Sequence, residues 1–60
     1  MKDYIKAVQL EFAEYGFAGC PLTSEMISYL YERSISVDQA YGIGCDINSG
    51  FTFNQCVEDL

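Results

Sequence analysis

The chain has 60 residues, of which half are apolar, 15% are aromatic and 20% are charged. Nine acidic side chains against three basic ones give a formal net charge of -6 and a pI near 4.1. We expect one domain over residues 1–60, with a core worth roughly 3–5 kcal/mol of net stability. The apolar fraction excludes a disordered tail. No apolar run approaches the roughly 18 residues that span a bilayer, so no membrane association is expected.

The N-terminus lacks the charged-then-apolar layout of a secretory signal, which predicts a cytoplasmic protein. The three cysteines Cys20, Cys45 and Cys56 include no Cys-x-x-Cys pair. An odd number without a signal peptide indicates reduced thiols rather than a disulfide framework. Histidine is absent and the cysteine spacings match no zinc site, so we expect neither a metal nor a cofactor.

Apolar spacing predicts a first helix over residues 3–16, with Asp3 as its N-cap. The helical stripe consists of Ile5, Val8, Phe12 and Tyr15. Gly16 is suited to end the helix in the left-handed conformation. Pro21 prevents the helix from continuing.

A second helix is predicted over 24–33, with Thr23 as its N-cap and Glu25 in its first turn. The expected buried face consists of Ile27, Leu30 and Tyr31, with Met26 alongside. Residues two apart project to different sides of a helix, so we expect Tyr29 to face solvent.

Two capping boxes predict the remaining helices. Ser36 with Gln39 begins a helix over 37–48, and Thr52 with Gln55 begins one over 53–59. The last helix is too short to be stable unless it docks on the others. The rival interpretation for residues 49–53 is a brief extended segment. The sequence therefore predicts an all-α fold, a compact mini-bundle of about four short helices.

The third predicted helix contains two glycines, Gly42 and Gly44. Each costs roughly 1 kcal/mol relative to alanine in a helix interior. A helix that keeps both is expected to have another backbone packed close against it. The alternative is a bent or partly irregular segment.

The sequence offers little for catalysis. Glu11 and Glu14 share a side of the first helix, as paired acid–base carboxylates would. The same spacing is typical of a solvated helix face, and Cys20 has no basic neighbour in sequence to activate it. We therefore expect a protein that is not an enzyme.

Residues 30–43 have the apolar spacing of a helix-turn-helix, in which Ser36 caps the would-be recognition helix. That helix carries Asp38 and Asp46 but no lysine or arginine. Its surface should repel phosphates. We interpret the spacing as a helix pair and expect no direct contact with nucleic acid.

Charge and aromatic content favour a protein-binding module. An acidic surface attracts a basic one, and tyrosine is a common interface anchor. The predicted partner-binding residues are Glu11, Glu14, Glu25, Tyr29, Glu32 and Asp38. The expected partner is a protein with a basic surface. Such surfaces usually serve nucleic acid, so the partner would be a nuclease or another nucleic-acid-binding enzyme that this chain inhibits.

In size, charge and lack of catalytic groups, the chain is similar to the tiny acidic proteins with which phages and mobile elements disable nucleases. These include anti-CRISPR and anti-restriction inhibitors. The similarity implies an inhibitor, although no shared motif carries it. The alternative is a small structural or regulatory homodimer that pairs through spare apolar surface. Its acidic surface would serve only solubility.

Overall fold

Four α-helices make up the all-α mini-bundle in the computed structural model, which describes residues 2–58 and 60. They are α1 (Lys2–Glu14), α2 (Ser24–Glu32), α3 (Val37–Asn48) and α4 (Phe53–Val57). α1 packs against both α2 and α3, and α4 packs against α3. No strand occurs in the described part of the chain; within residues 49–53, Thr52 is extended as the N-cap of α4 and Phe53 is already helical.

The helix α1 starts earlier and ends earlier than predicted. Asp3 lies inside its first turn and is not the N-cap. A carboxylate there is still stabilised by the exposed amide groups of the helix start. The helix ends at Glu14, and Gly16 follows with a φ of 86°. Gly16 therefore takes the left-handed conformation expected of it, two residues beyond the helix end.

The starts of the other three helices are confirmed. The side-chain oxygens of Thr23, Ser36 and Thr52 each accept a hydrogen bond from the backbone three residues on, at 3.2, 3.2 and 3.1 Å. The side-chain oxygens of Gln39 and Gln55 accept from the cap backbone in return, at 3.4 and 2.9 Å. Each of these short helices thus provides hydrogen-bond acceptors for some of the backbone N–H groups at its own N-terminus, which have no partner within the helix.

The helix ends agree less closely with the predictions. α2 ends at Glu32, with Arg33 as the C-cap, and α3 ends at Asn48 as predicted. α4 ends at Val57. The predicted end of α4, at residue 59, lies outside the described residues.

The core is small and entirely apolar. Its buried members are Val8, Phe12, Leu22, Ile27, Leu30, Ala40 and Val57. Two expected members are exposed instead, Tyr15 by 63% and Tyr31 by 45%. The buried side of α1 is centred on Val8 and Phe12, and Tyr15 follows the end of the helix. The buried side of α2 is centred on Ile27 and Leu30, which leaves Tyr31 on its flank.

Gly44 brings α3 close to α1. A Cβ atom on Gly44 would overlap Cζ of Phe12 and lie 2.8 Å from its Cε1. The close neighbour is therefore a side chain and not the backbone that we expected. α3 is a regular helix at this point, and Gly42 has nothing within 4 Å of a Cβ. The alternative of a partly irregular segment is therefore wrong, since the helix continues through both glycines.

The start of α1 is tied to the turn between α2 and α3. The Tyr4 hydroxyl donates a hydrogen bond to the Ile35 carbonyl at 2.8 Å. Its ring meets that of Tyr31 edge-on, with centroids 5.2 Å apart. In the turn itself, Ser34 has a φ of 58°, a left-handed conformation that is uncommon for a residue other than glycine.

Candidate protein-binding surfaces

A cluster of aromatic rings joins the end of α1 to α3. The Tyr15 and Tyr41 rings have centroids 4.8 Å apart, and Tyr41 lies 4.9 Å from Phe12. Phe17 meets Phe12 edge-on at 5.1 Å. The buried Phe12 therefore supports the half-buried Tyr41, which in turn supports the exposed Tyr15. Tyr15 presents a large ring to solvent in a position fixed by packing.

The surroundings of Tyr41 keep its phenol neutral. The interaction with the Cys45 side chain, one helical turn along α3, is the largest cause, followed by burial and by the nearby Cys45, Tyr15 and Glu11 groups, and together they raise the pKa of Tyr41 to about 12. Glu11 precedes Tyr15 by about one helical turn, and the Tyr15 backbone N–H donates to the Glu11 carbonyl at 3.3 Å. Glu11, a predicted partner-binding residue, is therefore one turn from the exposed Tyr15.

We call the group Glu11, Glu14, Tyr15, Asp38 and Tyr41 the acidic aromatic face. Glu14 is exposed at the end of α1, and Asp38 is exposed one helical turn before Tyr41. The two lysines of α1 project from roughly the opposite side of that helix, since they precede Glu11 by nine and five residues at 3.6 residues per turn. Carboxylates and aromatic rings thus share a face without a neighbouring lysine on α1.

A groove lies where the starts of α2 and α4 meet, and its volume is about 530 Å³. Met26, Tyr29 and Phe53 supply its apolar lining, while Glu25 and Asn54 are exposed lining residues. The two N-cap threonines complete the lining, but their hydroxyls already accept bonds from their own helices. We call this the α2–α4 groove.

Tyr29 belongs to this groove, and the expectation that it faces solvent is wrong. It is half-buried, and its ring meets Phe53 edge-on at 5.4 Å. The Arg33 guanidinium lies 3.4 Å from the ring centroid and donates to the Tyr29 carbonyl at 3.3 Å. The ring face that could have received a partner's cation is therefore occupied by the chain's own arginine.

The six predicted partner-binding residues fall into two groups. Glu11, Glu14 and Asp38 belong to the acidic aromatic face. Glu25, Tyr29 and Glu32 follow one side of α2 at spacings of four and three. Within residues 2–58 and 60, no hydrogen bond or ring contact joins the two groups.

Sequence reasoning missed Tyr15, Tyr41, Met26 and Phe53. Tyr15 was assigned to the core because it continues the apolar stripe of α1. Its spacing of four from Glu11 was a signal that both residues lie on one face. The groove residues had no such signal, because α2 and α4 lie far apart in the sequence.

Other sites receive no support from the described residues. No group of three or more His, Cys, Asp or Glu side chains in that part of the chain could hold a metal ion. None of its helices has the length and hydropathy needed to cross a membrane. The three cysteines are free and half-buried. The thiol of Cys56 donates to the Ile43 carbonyl at 3.8 Å, a contact that joins α4 to α3.

Comparisons with protein-family models, curated proteins and solved structures find no match for this chain.

Proposed function

We propose that the chain is a small protein-binding module whose acidic aromatic face docks on a basic protein surface. The observation that carries the proposal is the 63% exposure of Tyr15 while its ring packs at a tilt against Tyr41, with centroids 4.8 Å apart. A ring held in place loses little entropy on binding, which suits it to anchor an interface. Its carboxylate neighbours favour a cationic partner.

Charge supports the same assignment. The net charge of -6 attracts a basic surface over a distance and accelerates encounter. Glu11 and Glu14 precede Tyr15 by four residues and one residue, so a partner's arginine could pair with a carboxylate and contact the exposed ring as well. Arginine-rich surfaces of this kind usually serve nucleic acid. A protein bound to such a surface would block nucleic acid from it and so inhibit the enzyme. We propose a nuclease or a similar enzyme as the target.

Affinity capture from a lysate of the source cells tests the proposal. The bait is the whole chain, compared with a Glu11→Gln, Glu14→Gln variant and with an Asp46→Asn, Glu58→Gln control. Both variants lose two negative charges, but the control changes exposed residues outside the acidic aromatic face. We expect the first variant to bind a captured nucleic-acid enzyme about 3- to 30-fold more weakly and the control to resemble the natural chain.

Salt dependence separates this mechanism from apolar association. Binding should weaken steeply as salt screens the charges. Equal loss in both charge variants would contradict a localised face. Capture that is insensitive to salt would contradict the electrostatic mechanism.

A second candidate is a homodimer, favoured by the number of large apolar side chains that are at least 45% exposed. These are Leu10, Tyr15, Tyr31, Phe51 and Leu60. In a chain with so small a core, pairing could bury some of them. Light scattering over a range of protein concentrations measures whether the chain is a monomer or a dimer. The melting temperature of a dimer should also rise with protein concentration. A monomer at high micromolar concentration would exclude the dimer.

A further inference from the structure

We infer that the α2–α4 groove receives a large apolar side chain of the partner, and that a lysine or arginine next to it pairs with Glu25. The inference deepens the proposed function and rests on it, because the occupant is a segment of the same basic partner. It assigns a second contact region, separate from the acidic aromatic face. The occupant is therefore a short basic peptide segment with an apolar anchor.

The size and lining of the groove suit such an anchor. Its volume of about 530 Å³ lies within the range of sites that hold small ligands. The Met26 sulfur accepts a hydrogen bond from the Thr23 backbone N–H at 3.5 Å, and this polarisable thioether suits contact with apolar and aromatic groups. The rings of Tyr29 and Phe53 hold each other edge-on at 5.4 Å, so this part of the lining is already in place before binding.

The Arg33 side chain helps to fix the groove without lining it. Its guanidinium covers one face of Tyr29 at 3.4 Å from the centroid, which restrains that ring. The lining residues themselves include one carboxylate, Glu25, and no cation. Glu32 adds a second exposed carboxylate further along the same side of α2.

Charge complementarity selects the occupant. A segment with a cation beside its apolar anchor can pair with Glu25 while the anchor leaves water. A second copy of this chain is a poorer occupant, because each copy carries a net charge of -6 and the copies repel each other. An anionic ligand is disfavoured as well. The first turns of α2 and α4 are capped by their own threonines, and Glu25 repels negative charge.

Chemical-shift mapping by NMR tests the inference with defined probes. The natural chain is titrated with short acetylated, amidated peptides that carry either a central leucine or a central serine. In each case lysines or glutamates flank the central residue. We expect the lysine–leucine peptide to shift the amides of Met26, Tyr29, Phe53 and Asn54. We expect it to bind about tenfold more tightly than the serine or glutamate peptides.

Two variants locate the contact. Glu25→Gln should weaken the lysine–leucine peptide about 2- to 5-fold, whereas Glu58→Gln, with the same change in charge, should not. Asn54→Lys places a cation at the groove and should weaken the peptide at least as much. Far-UV circular dichroism and melting curves establish that each variant is folded.

Several outcomes would overturn the inference. They are shifts spread over the surface, equal binding of the leucine peptides with lysines or with glutamates, and equal effects of Glu25→Gln and Glu58→Gln. Groove shifts that grow with protein concentration alone would identify a second copy as the occupant. None of these outcomes bears on capture through Glu11 and Glu14, so the proposed function can fail or survive independently.

Discussion

The Phe12 ring lies against Gly44, so close that a Cβ atom on that glycine would overlap the ring. Phe12 is almost fully buried and also contacts Phe17 and Tyr41. A single glycine on α3 thereby sets how closely α1 and α3 pack. The same ring supports the tyrosine pair of the acidic aromatic face, so core packing and the candidate binding surface depend on one contact.

Gly44→Ala should destabilise the fold by about 1–3 kcal/mol, because the added methyl displaces the Phe12 ring from a filled core. Gly42→Ala is the matched control on the same helix. Nothing lies within 4 Å of its Cβ, so it should stabilise by about 0.5–1 kcal/mol through helix propensity. Urea unfolding followed by circular dichroism measures both. Similar effects of the two substitutions would contradict the assigned contact.

Tyr4→Phe should cost about 0.5–1.5 kcal/mol, because it removes the donor to the Ile35 carbonyl and keeps the ring. Tyr31→Phe serves as the control, since it removes a hydroxyl from the exposed partner ring of the same pair. We expect a change below about 0.5 kcal/mol for the control. Denaturant midpoints at matched m-values give the comparison. An unchanged midpoint in Tyr4→Phe would show that the hydrogen bond contributes nothing.

Stability should fall at alkaline pH because of Tyr41. Its pKa is raised from 10.0 to about 12 in the folded chain. Below pH 10 the phenol is protonated in both states and the stabilisation is complete. Between pH 10 and 12 the unfolded chain loses this proton first, so the stabilisation is progressively lost as pH rises. Burial raises the pKa of Tyr4 and acts in the same direction.

Absorbance of the phenolate checks this titration. Tyr41→Phe should remove the step at highest pH, and Cys45→Ala should move that step towards lower pH by removing the thiol that is the largest cause of the raised pKa of Tyr41. Ionisation of all the tyrosines of the natural folded chain together near pH 10 would contradict this prediction.

Arg33→Ala should destabilise the chain by about 0.5–1 kcal/mol, because the guanidinium no longer stacks on Tyr29. Arg33→Lys keeps the positive charge and should recover part of the loss. Thermal and urea unfolding measure the difference. A midpoint for Arg33→Ala that equals that of the natural chain would contradict a stabilising contact.

The starts of α2, α3 and α4 were predictable from sequence because each depends on residues three positions apart, whereas Asp3 was wrongly assigned as the cap of α1. The boxes at Ser36 and Thr52 carry their own hydrogen bonds, so tertiary structure has little influence on them. The core positions Val8, Phe12, Ile27 and Leu30 follow from periodicity for a similar reason. At these positions the side chains that the helical spacing of apolar residues predicts as buried are buried in the folded chain.

The candidate surfaces were harder to predict because the exposure of a side chain depends on which other helix packs beside it. The stripe of α1 includes Tyr15, but the chain turns away at Gly16 and leaves that ring exposed. Tyr29 and Tyr31 exchanged their expected environments, because α4 packs beside Tyr29 and provides Phe53. Sequence periodicity within α2 contains no information about α4.

The affinity of Tyr15→Ala for the captured partner measures what the exposed ring contributes to docking. Phe51→Ala is its matched control, since Phe51 is an aromatic residue that is 56% exposed and lies between α3 and α4, outside the acidic aromatic face. In isothermal titration at constant salt, we predict at least about tenfold weaker binding for Tyr15→Ala and a change below about twofold for Phe51→Ala. Equal affinities for the two variants would contradict docking through the acidic aromatic face.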